Sequence, residues 1–237
     1  MSPAKPVGKR IRKPRAKDEG TEPKDFTVLD FGNAAFKISV HDPRELPPPS
    51  APEIAFVGRS NAGKSSAINA LANRRRLAFV SKTPGRTQLI NFFSLGSRAF
   101  LVDLPGYGYA GVPGAVREHW KTLVGEYIDK RSSIALVVIV MDIRHPFTPL
   151  DLHLIEWLKT AGRRAHVLLT KSDKLSKQAS ARALAEGRAT LGRVYPGASV
   201  QLYSSMKREG LKAAGIALAR ALDDFGGQKT RAPAKGE

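Results

Sequence analysis

The stretch Glu53–Ser65, EIAFVGRSNAGKS, decides the fold because it joins a short apolar run to a glycine-containing turn and then to a helix start. Its second half matches GxxxxGK[ST], a pattern in which backbone N–H groups and a helix N-terminus bind nucleotide phosphates. We expect Lys64 to reach the β- and γ-phosphates and the Ser65 hydroxyl to ligate Mg²⁺. The candidate nucleotide ligands of this loop are Gly58, Arg59, Ser60, Asn61, Ala62, Gly63, Lys64, Ser65 and Ser66.

A second motif, Asp103-Leu-Pro-Gly106, follows another predicted strand. An aspartate there can hold Mg²⁺ through water, and the Gly106 N–H can contact the γ-phosphate. By itself D-x-x-G indicates only a turn, but its position after a phosphate loop and a strand makes it specific. The candidate ligands are Asp103, Leu104, Pro105 and Gly106.

A third motif, Thr170-Lys-Ser-Asp173, ends a later strand. A carboxylate at Asp173 can accept hydrogen bonds from guanine N1–H and the 2-amino group, and adenine offers neither donor. The aliphatic stem of Lys171 can cover the base. Asp173 could instead cap a helix, and the two roles can coexist. A backbone N–H near the end of the last strand could contact guanine O6, so the candidates for base recognition are Thr170, Lys171, Ser172, Asp173, Tyr203, Ser204 and Ser205.

Strand and helix patterns alternate along the chain, which predicts an α/β fold with a mostly parallel sheet flanked by helices. Six strands are expected, over residues 53–58, 88–95, 98–103, 134–141, 165–170 and 198–204. Helices are expected over residues 64–73, 116–130, 149–161, 176–191 and 207–224. In such sheets ligands bind beyond the carboxyl ends of the strands, where all three motifs fall.

The charge of the chain indicates a polyanionic partner. The 237 residues carry a formal net charge of +18, of which residues 1–25 contribute +4, residues 228–237 contribute +2 and the remainder +12. A basic folded part favours RNA or DNA over a mere solubility device. We expect disordered tails over residues 1–25 and 226–237 around a folded domain over residues 26–225.

The composition also excludes several classes of protein. The chain has no cysteine, so neither a disulfide framework nor a thiolate metal site is expected. The longest apolar run has only strand length, and the charged N-terminus lacks the apolar core of a secretory signal. We therefore expect a cytoplasmic protein without a membrane partner, with an organellar transit peptide as the alternative.

The amino-acid sequences of the motifs resemble those of a known family. The segments GRSNAGKS, PGRTQLINFF, DLPGYGYA and TKSD, within residues 41–224, are similar to those of the EngB-type (YihA/YsxC) ribosome-biogenesis GTP-binding proteins. These proteins belong to the TrmE-Era-EngA-EngB-Septin-like GTPases. The resemblance implies a Ras-like G domain that binds GTP or GDP with Mg²⁺ and assists assembly of the large ribosomal subunit. It also implies ribosomal RNA and assembly intermediates as partners, a need for the protein in normal division and septation, and a monomer.

The same resemblance places the switch segment. It implies that Thr87, rather than Thr83, closes on Mg²⁺ and the γ-phosphate, within the candidate ligands Pro84, Gly85, Arg86 and Thr87. Residues 107–111, Tyr-Gly-Tyr-Ala-Gly, are expected to be mobile, with tyrosines available to a partner.

The sequence does not assign a catalytic residue. Ras-like proteins place a water-orienting Gln directly after D-x-x-G, but this chain has Tyr107, which predicts slow intrinsic hydrolysis. Asn61 resembles the asparagine of GTPases that use K⁺ in place of an arginine finger, which makes it a candidate K⁺ ligand. Asn61 could also be a polar residue that only caps the loop.

Several other residues have simpler interpretations. We expect His119, His153, Trp120 and Trp157 to be packing or surface residues, and the cluster Arg74–Arg76 to be either an RNA contact or a solvated helix end. Three alternative functions stay open: a signalling GTPase unconnected with ribosomes, an RNA-binding module with a structural nucleotide, and an ATP-using enzyme. Asp173 separates the last from a GTPase.

Overall fold

The fold is seen in a computed structural model that describes residues 31–78, 89–108 and 114–231. The switch residues Pro84, Gly85, Arg86 and Thr87, the segment 109–111 and the tail over residues 1–25 lie outside the described residues.

A seven-stranded sheet in the order β1-β3-β4-β2-β5-β6-β7 organises the domain. The strands are β1 Ala35–Val40, β2 Glu53–Gly58, β3 Ile90–Leu95, β4 Ala99–Asp103, β5 Ile134–Asp142, β6 Ala165–Thr170 and β7 Ser199–Leu202. The helices are α1 Lys64–Leu71, α2 Gly114–Lys130, α3 Pro149–Thr160, α4 Lys177–Val194 and α5 Leu211–Arg231. Strands β4, β2, β5, β6 and β7 are parallel, and β1–β3–β4 are joined antiparallel. Within the described part of the chain, the helices are all too short or too polar to cross a membrane.

Two hydrophobic layers cover the sheet, and alternation along the strands separates them. In β2, Ile54 and Phe56 belong to the layer under α1 and α5, whereas Ala55 and Val57 belong to the layer under α2, α3 and α4. Because both faces are covered, β2 and β5 are apolar along most of their length, as parallel strands between helices are. The rigid centre of the sheet thus holds the carboxyl ends of β2, β5 and β6 side by side.

The sheet has seven strands, one more than the six predicted. Strand β1 forms an antiparallel edge against β3, with an irregular register between Phe36 and Ile38. Its side chains are mostly exposed, and only Val40 is buried. An edge strand that buries so little lacks the apolar run or strict alternation from which a strand is predicted.

The last helix was also displaced from its predicted bounds. It begins at Leu211 because Gly210, at φ +71°, ends the preceding loop in a left-handed conformation. It continues to Arg231, so residues 226–231 are helical rather than loose. Phe225 packs against the core near this end.

A buried ion pair closes the amino end of β2. Glu53 is fully buried and accepts hydrogen bonds from Tyr127 Oη at 2.7 Å and Ser133 Oγ at 2.8 Å. The Arg131 guanidinium donates to the same carboxylate at 2.6 and 2.9 Å. Burial, and then the adjacent Glu53 charge, raise the pKa of Tyr127 well above its ordinary value, so its hydroxyl remains a donor. The network therefore fixes the end of α2 to the base of the sheet.

Replacing Arg131 by Leu should lower the free energy of unfolding by about 3–5 kcal/mol, because the Glu53 carboxylate would stay buried without its cation. Urea denaturation followed by circular dichroism measures the change. Lys130→Leu, at the neighbouring exposed residue, is the matched control and should have little effect. Equal effects of the two substitutions would contradict a structural role for the buried pair.

Candidate functional site

The loop between β2 and α1 approaches its neighbours so closely that glycine is required. A Cβ on Gly58 would lie 2.5 Å from the Val140 carbonyl oxygen. Gly63 has φ +98°, which L side chains rarely adopt, and a Cβ on Gly106 would lie 3.3 Å from Gly58 O. These contacts leave a backbone-lined cradle at the carboxyl edge of the sheet, which is the kind of concavity that binds phosphates.

Side chains at the end of β6 hold this loop through its carbonyl oxygens. The Thr170 hydroxyl lies 2.5 Å from Ala62 O and 2.9 Å from Met141 O. Lys171 Nζ donates to Asn61 O at 2.7 Å. Carbonyl oxygens that pointed toward a phosphate would repel it. Because Thr170 and Lys171 bind the carbonyl oxygens of Ala62 and Asn61, the loop is favoured in a conformation that directs its N–H groups toward a phosphate. Thr170 and Lys171 thus support the loop as well as any base.

The two charged residues predicted for phosphate and metal meet directly. Lys64 Nζ forms an ion pair with Asp103 Oδ1, and both side chains are largely buried. The oxygen donors of Asp103 and Ser65 suit Mg²⁺, which binds through one or two protein oxygens together with substrate phosphates. No cluster of three or more potential metal ligands of His, Cys, Asp or Glu occurs among the described residues. One hydroxyl and one carboxylate are a donor set of the kind that holds Mg²⁺ together with bound phosphates.

Tyr107 is not available to a partner, contrary to the prediction. Its backbone pairs with the loop, Tyr107 N donating to Gly58 O at 3.2 Å and Ser60 N donating to Tyr107 O at 3.0 Å. Its hydroxyl donates to Asp151 Oδ1 at 2.7 Å, and its ring packs edge-on against Trp120, 6.0 Å between centroids.

Burial, followed by the Asp151 charge, raises the pKa of Tyr107 well above its ordinary value. The hydroxyl is therefore a fixed donor to Asp151 and is not free to orient water.

Asp151 is a site residue that the sequence did not point out. Its second oxygen accepts from Thr148 N and Thr148 Oγ1, each at 2.8 Å, which forms the cap of α3. The pattern Thr-x-x-Asp before an apolar run was the available signal. Trp120 donates to Pro105 O at 2.8 Å, so Tyr107 and Trp120 together fix the segment after Asp103.

At the opposite end of the site, a serine hydroxyl orients the predicted base-reading carboxylate. Ser204 Oγ donates to Asp173 Oδ1 at 2.5 Å and accepts from Lys207 N at 3.0 Å. The Ser204 N–H donates to Glu209 O, so it is not the donor expected for guanine O6, and Ser205 is the remaining candidate. The Tyr203 side chain is fully buried and donates to Ala67 O, which leaves only its backbone near the site.

The alternative role of Asp173 as a helix cap is wrong. Asp173 lies in a short 3₁₀ turn, Ser172–Lys174, and α4 is capped by Ser176, whose side chain accepts from Ala179 N at 3.2 Å. The four residues set aside as packing or surface residues lie as expected. Trp120 and Trp157 pack against the core, the His119 ring lies edge-to-face against the His41 ring, and His153 is exposed.

Asp142, at the end of β5, connects the two ends of the site. Its Oδ2 lies 2.9 Å from Lys171 Nζ, and its carboxylate also accepts from Arg144 at 2.6 and 3.0 Å. Burial raises the pKa of Asp142, but hydrogen bonds from Arg144 and Lys171 outweigh it and hold the pKa below the usual range. Asp142 therefore stays charged and holds the ammonium that contacts the phosphate loop.

Known proteins resemble this chain over most of its length. Residues 53–171 match the family described as "50S ribosome-binding GTPase". A curated relative from Methylobacillus flagellatus, "Probable GTP-binding protein EngB", is 55% identical over 80% of this chain and 92% of its own. Its namesake from Nitrosomonas eutropha is 47% identical over 87% and 98%. The crystal structure of a probable GTP-binding protein engB, 24% identical, shares the fold with a TM-score of 0.56 over 73% of this chain and 99% of its own.

The three motifs at one edge of a Ras-like α/β sheet define a P-loop GTPase. At this level of identity to its curated relatives, the chain belongs to the EngB family of GTP-binding proteins.

Asp142→Asn should weaken guanine-nucleotide binding about tenfold, because Lys171 would lose a charge-assisted hydrogen bond that holds it against Asn61 O. Titration with a fluorescent GDP analogue measures the dissociation constant. Arg144→Gln is the control, since Arg144 binds Asp142 without contacting Lys171. Unchanged affinity in Asp142→Asn would show that Lys171 needs no such support.

Proposed function

We propose that this chain is a slow GTP-hydrolysing switch that assists assembly of the large ribosomal subunit. The observation that carries the proposal is the convergence of three pairs at the carboxyl edge of the sheet: Lys64 with Asp103, Lys171 with Asn61, and Asp173 with Ser204. They span the positions that a nucleotide's phosphates, metal and base would take.

Guanine selectivity is assigned to Asp173. Its side chain is largely buried, so a bound base without matching donors would displace water from the carboxylate and leave it only the Ser204 hydroxyl and the Lys174 ammonium, 3.8 Å away. The Ser204 hydroxyl keeps one carboxylate oxygen in place, and Lys171 can lay its aliphatic stem along the base. Adenine would be strongly disfavoured at such a site.

Mg²⁺ would be held by the Ser65 hydroxyl, by Asp103 through water, and in the GTP state by Thr87. When bound, the ion neutralises charge on the β- and γ-phosphates. Lys64 would turn from Asp103 toward the phosphates, and the Gly106 N–H would contact the γ-phosphate. Loss of that phosphate would release the segments around Thr87 and after Gly108, as in other GTPase switches.

Hydrolysis by this chain alone should be slow. The position after Gly106 holds Tyr107, whose hydroxyl is bound to Asp151, so no glutamine orients the attacking water there. We propose K⁺ as the compensating charge, with Asn61 as its ligand. Asn61 has an exposed side chain and a left-handed backbone, φ +60°, in the middle of the phosphate loop.

The ribosomal role rests on the family and on charge. The matching family is described as ribosome-binding, and a net +18 suits a protein that binds RNA. We propose ribosomal RNA and large-subunit assembly intermediates as partners of a cytoplasmic monomer, with consequences for division and septation.

The wild type should bind GTP about 10⁴-fold more tightly than ATP, and Asp173→Asn should lose most of that preference and gain affinity for xanthosine nucleotides. Competition against a fluorescent guanine nucleotide measures the affinities of both proteins for GTP, ATP and xanthosine nucleotides. Asp223→Asn, an exposed aspartate paired with Arg98, is the control. Equal binding of ATP and GTP by the wild type would overturn the assignment as a GTPase.

Turnover should be at least about tenfold faster in KCl than in NaCl, a small part of the 10³–10⁵ that an arginine finger supplies. Asn61→Ala should remove the K⁺/Na⁺ ratio. Asn73→Ala, an asparagine that is also left-handed at φ +49° but lies outside the site, should keep it. Phosphate release measures both rates, and equal wild-type rates in the two salts would exclude K⁺.

A further inference from the structure

Two segments distant in sequence form one basic surface beside Ser204, the residue that orients Asp173. Arg74, Arg75 and Arg76 follow α1, and Lys207 and Arg208 lie in the loop between β7 and α5. All five are exposed. We call these five residues the basic patch.

One side-chain contact joins the two halves of the basic patch. Arg208 Nη1 donates to Asn73 Oδ1 at 3.3 Å. Asn73 and Arg208 both have left-handed backbones, at φ +49° and +56°, so each stands at a sharp turn that projects its neighbours outward. The Arg74 guanidinium donates to Gly32 O at 3.1 and 3.2 Å.

The contacts that position Arg74 and Arg208 are with neutral oxygens. Several other surface arginines are instead paired with carboxylates, as in Arg98–Asp223, Arg164–Asp224 and Arg182–Glu186. Within residues 31–78, 89–108 and 114–231, none of the five patch cations forms an ion pair with a carboxylate. Arg74 and Arg208 are thus positioned by amide and carbonyl oxygens while their charge stays available to a ligand.

We propose that the basic patch binds the phosphate backbone of structured RNA. Arginine presents several donors in a planar fork that matches phosphate oxygens, and a group of uncompensated cations gains affinity by releasing the counterions of RNA. Met206, which is 82% exposed in the same loop, can contact a ribose or base. The inference rests on the proposed ribosomal role, because it names the surface through which the chain would meet RNA.

The test compares two triple variants of the full chain loaded with a non-hydrolysable GTP analogue. Arg74→Gln/Arg75→Gln/Arg76→Gln removes three charges from the basic patch. Lys177→Gln/Arg188→Gln/Arg193→Gln removes three exposed charges from α4, on the opposite face of the sheet. The probe is a fluorescein-labelled 20-base-pair RNA hairpin, titrated by anisotropy over a range of KCl concentrations.

The patch variant should bind the hairpin at least about tenfold more weakly, and the slope of log K against log[KCl] should fall in magnitude by about 2–3. The α4 variant should keep the wild-type slope. Arg75→Gln/Arg76→Gln, which retains the Arg74–Gly32 contact, should show an intermediate loss and guards against a folding defect. GTP-analogue affinity should be unchanged in all three, since none of these residues lies in the nucleotide site.

Equal losses of RNA binding in the patch and α4 variants would overturn the inference. So would a loss by the patch variant of binding to phosphatidylglycerol vesicles without loss of RNA binding. If the wild type binds neither the hairpin nor isolated large ribosomal subunits, the proposed ribosomal role fails as well. If it binds RNA and the patch variant binds equally, only the location inferred here is wrong.

Discussion

The hold of β6 on the carbonyl oxygens of the phosphate loop is the interaction on which the rest of the site depends. A peptide unit directs its N–H and C=O to opposite sides, so a loop that offers N–H groups to an anion must place its carbonyls elsewhere. Here Thr170 and Lys171 bind the carbonyls of Ala62 and Asn61. The parallel register of the strands makes both contacts possible: Gly58 pairs with Val140 and Val140 pairs with Leu168, so β6 runs two residues beyond the end of β2 and brings Thr170 alongside the loop.

The same contacts join the two ends of the nucleotide site into one unit. Lys171 belongs to the motif proposed to read the base, yet its ammonium lies on the phosphate loop and against Asp142. Asp173, two residues further, is held by Ser204 from the next strand's loop. The residues proposed for base recognition and those proposed for phosphate recognition are therefore held by the same set of strand ends.

Tyr107 has a structural role at the position where Ras-like proteins have a catalytic glutamine. Its main chain extends the pairing between the loop and the segment after Asp103, and its hydroxyl is bound by the cap of α3. The side chain thereby fixes the first residues after Gly106 to two neighbouring elements. The side chain at this position is fixed by its contacts and does not orient water, as the catalytic glutamine of Ras-like proteins does. For this reason we expect hydrolysis to be slow without an added charge.

The sequence alone determined the features that depend on local spacing. The apolar run before Gly58 predicts a strand, and the GxxxxGK[ST] pattern follows it. The motifs at Asp103 and Asp173 likewise lie at the ends of strands, and parallel strands bring such ends together. Strand β1 and the last turns of α5 escaped prediction because they depend on pairing with β3 and packing of Phe225, not on their own periodicity. Only the tertiary structure decided the roles of Asp142, Asp151 and Tyr107. It also decided that Arg74–Arg76 and Arg208 lie close together. Each of these roles depends on a contact between residues far apart in the chain. A local sequence pattern does not encode which distant side chain will become a neighbour in the folded protein.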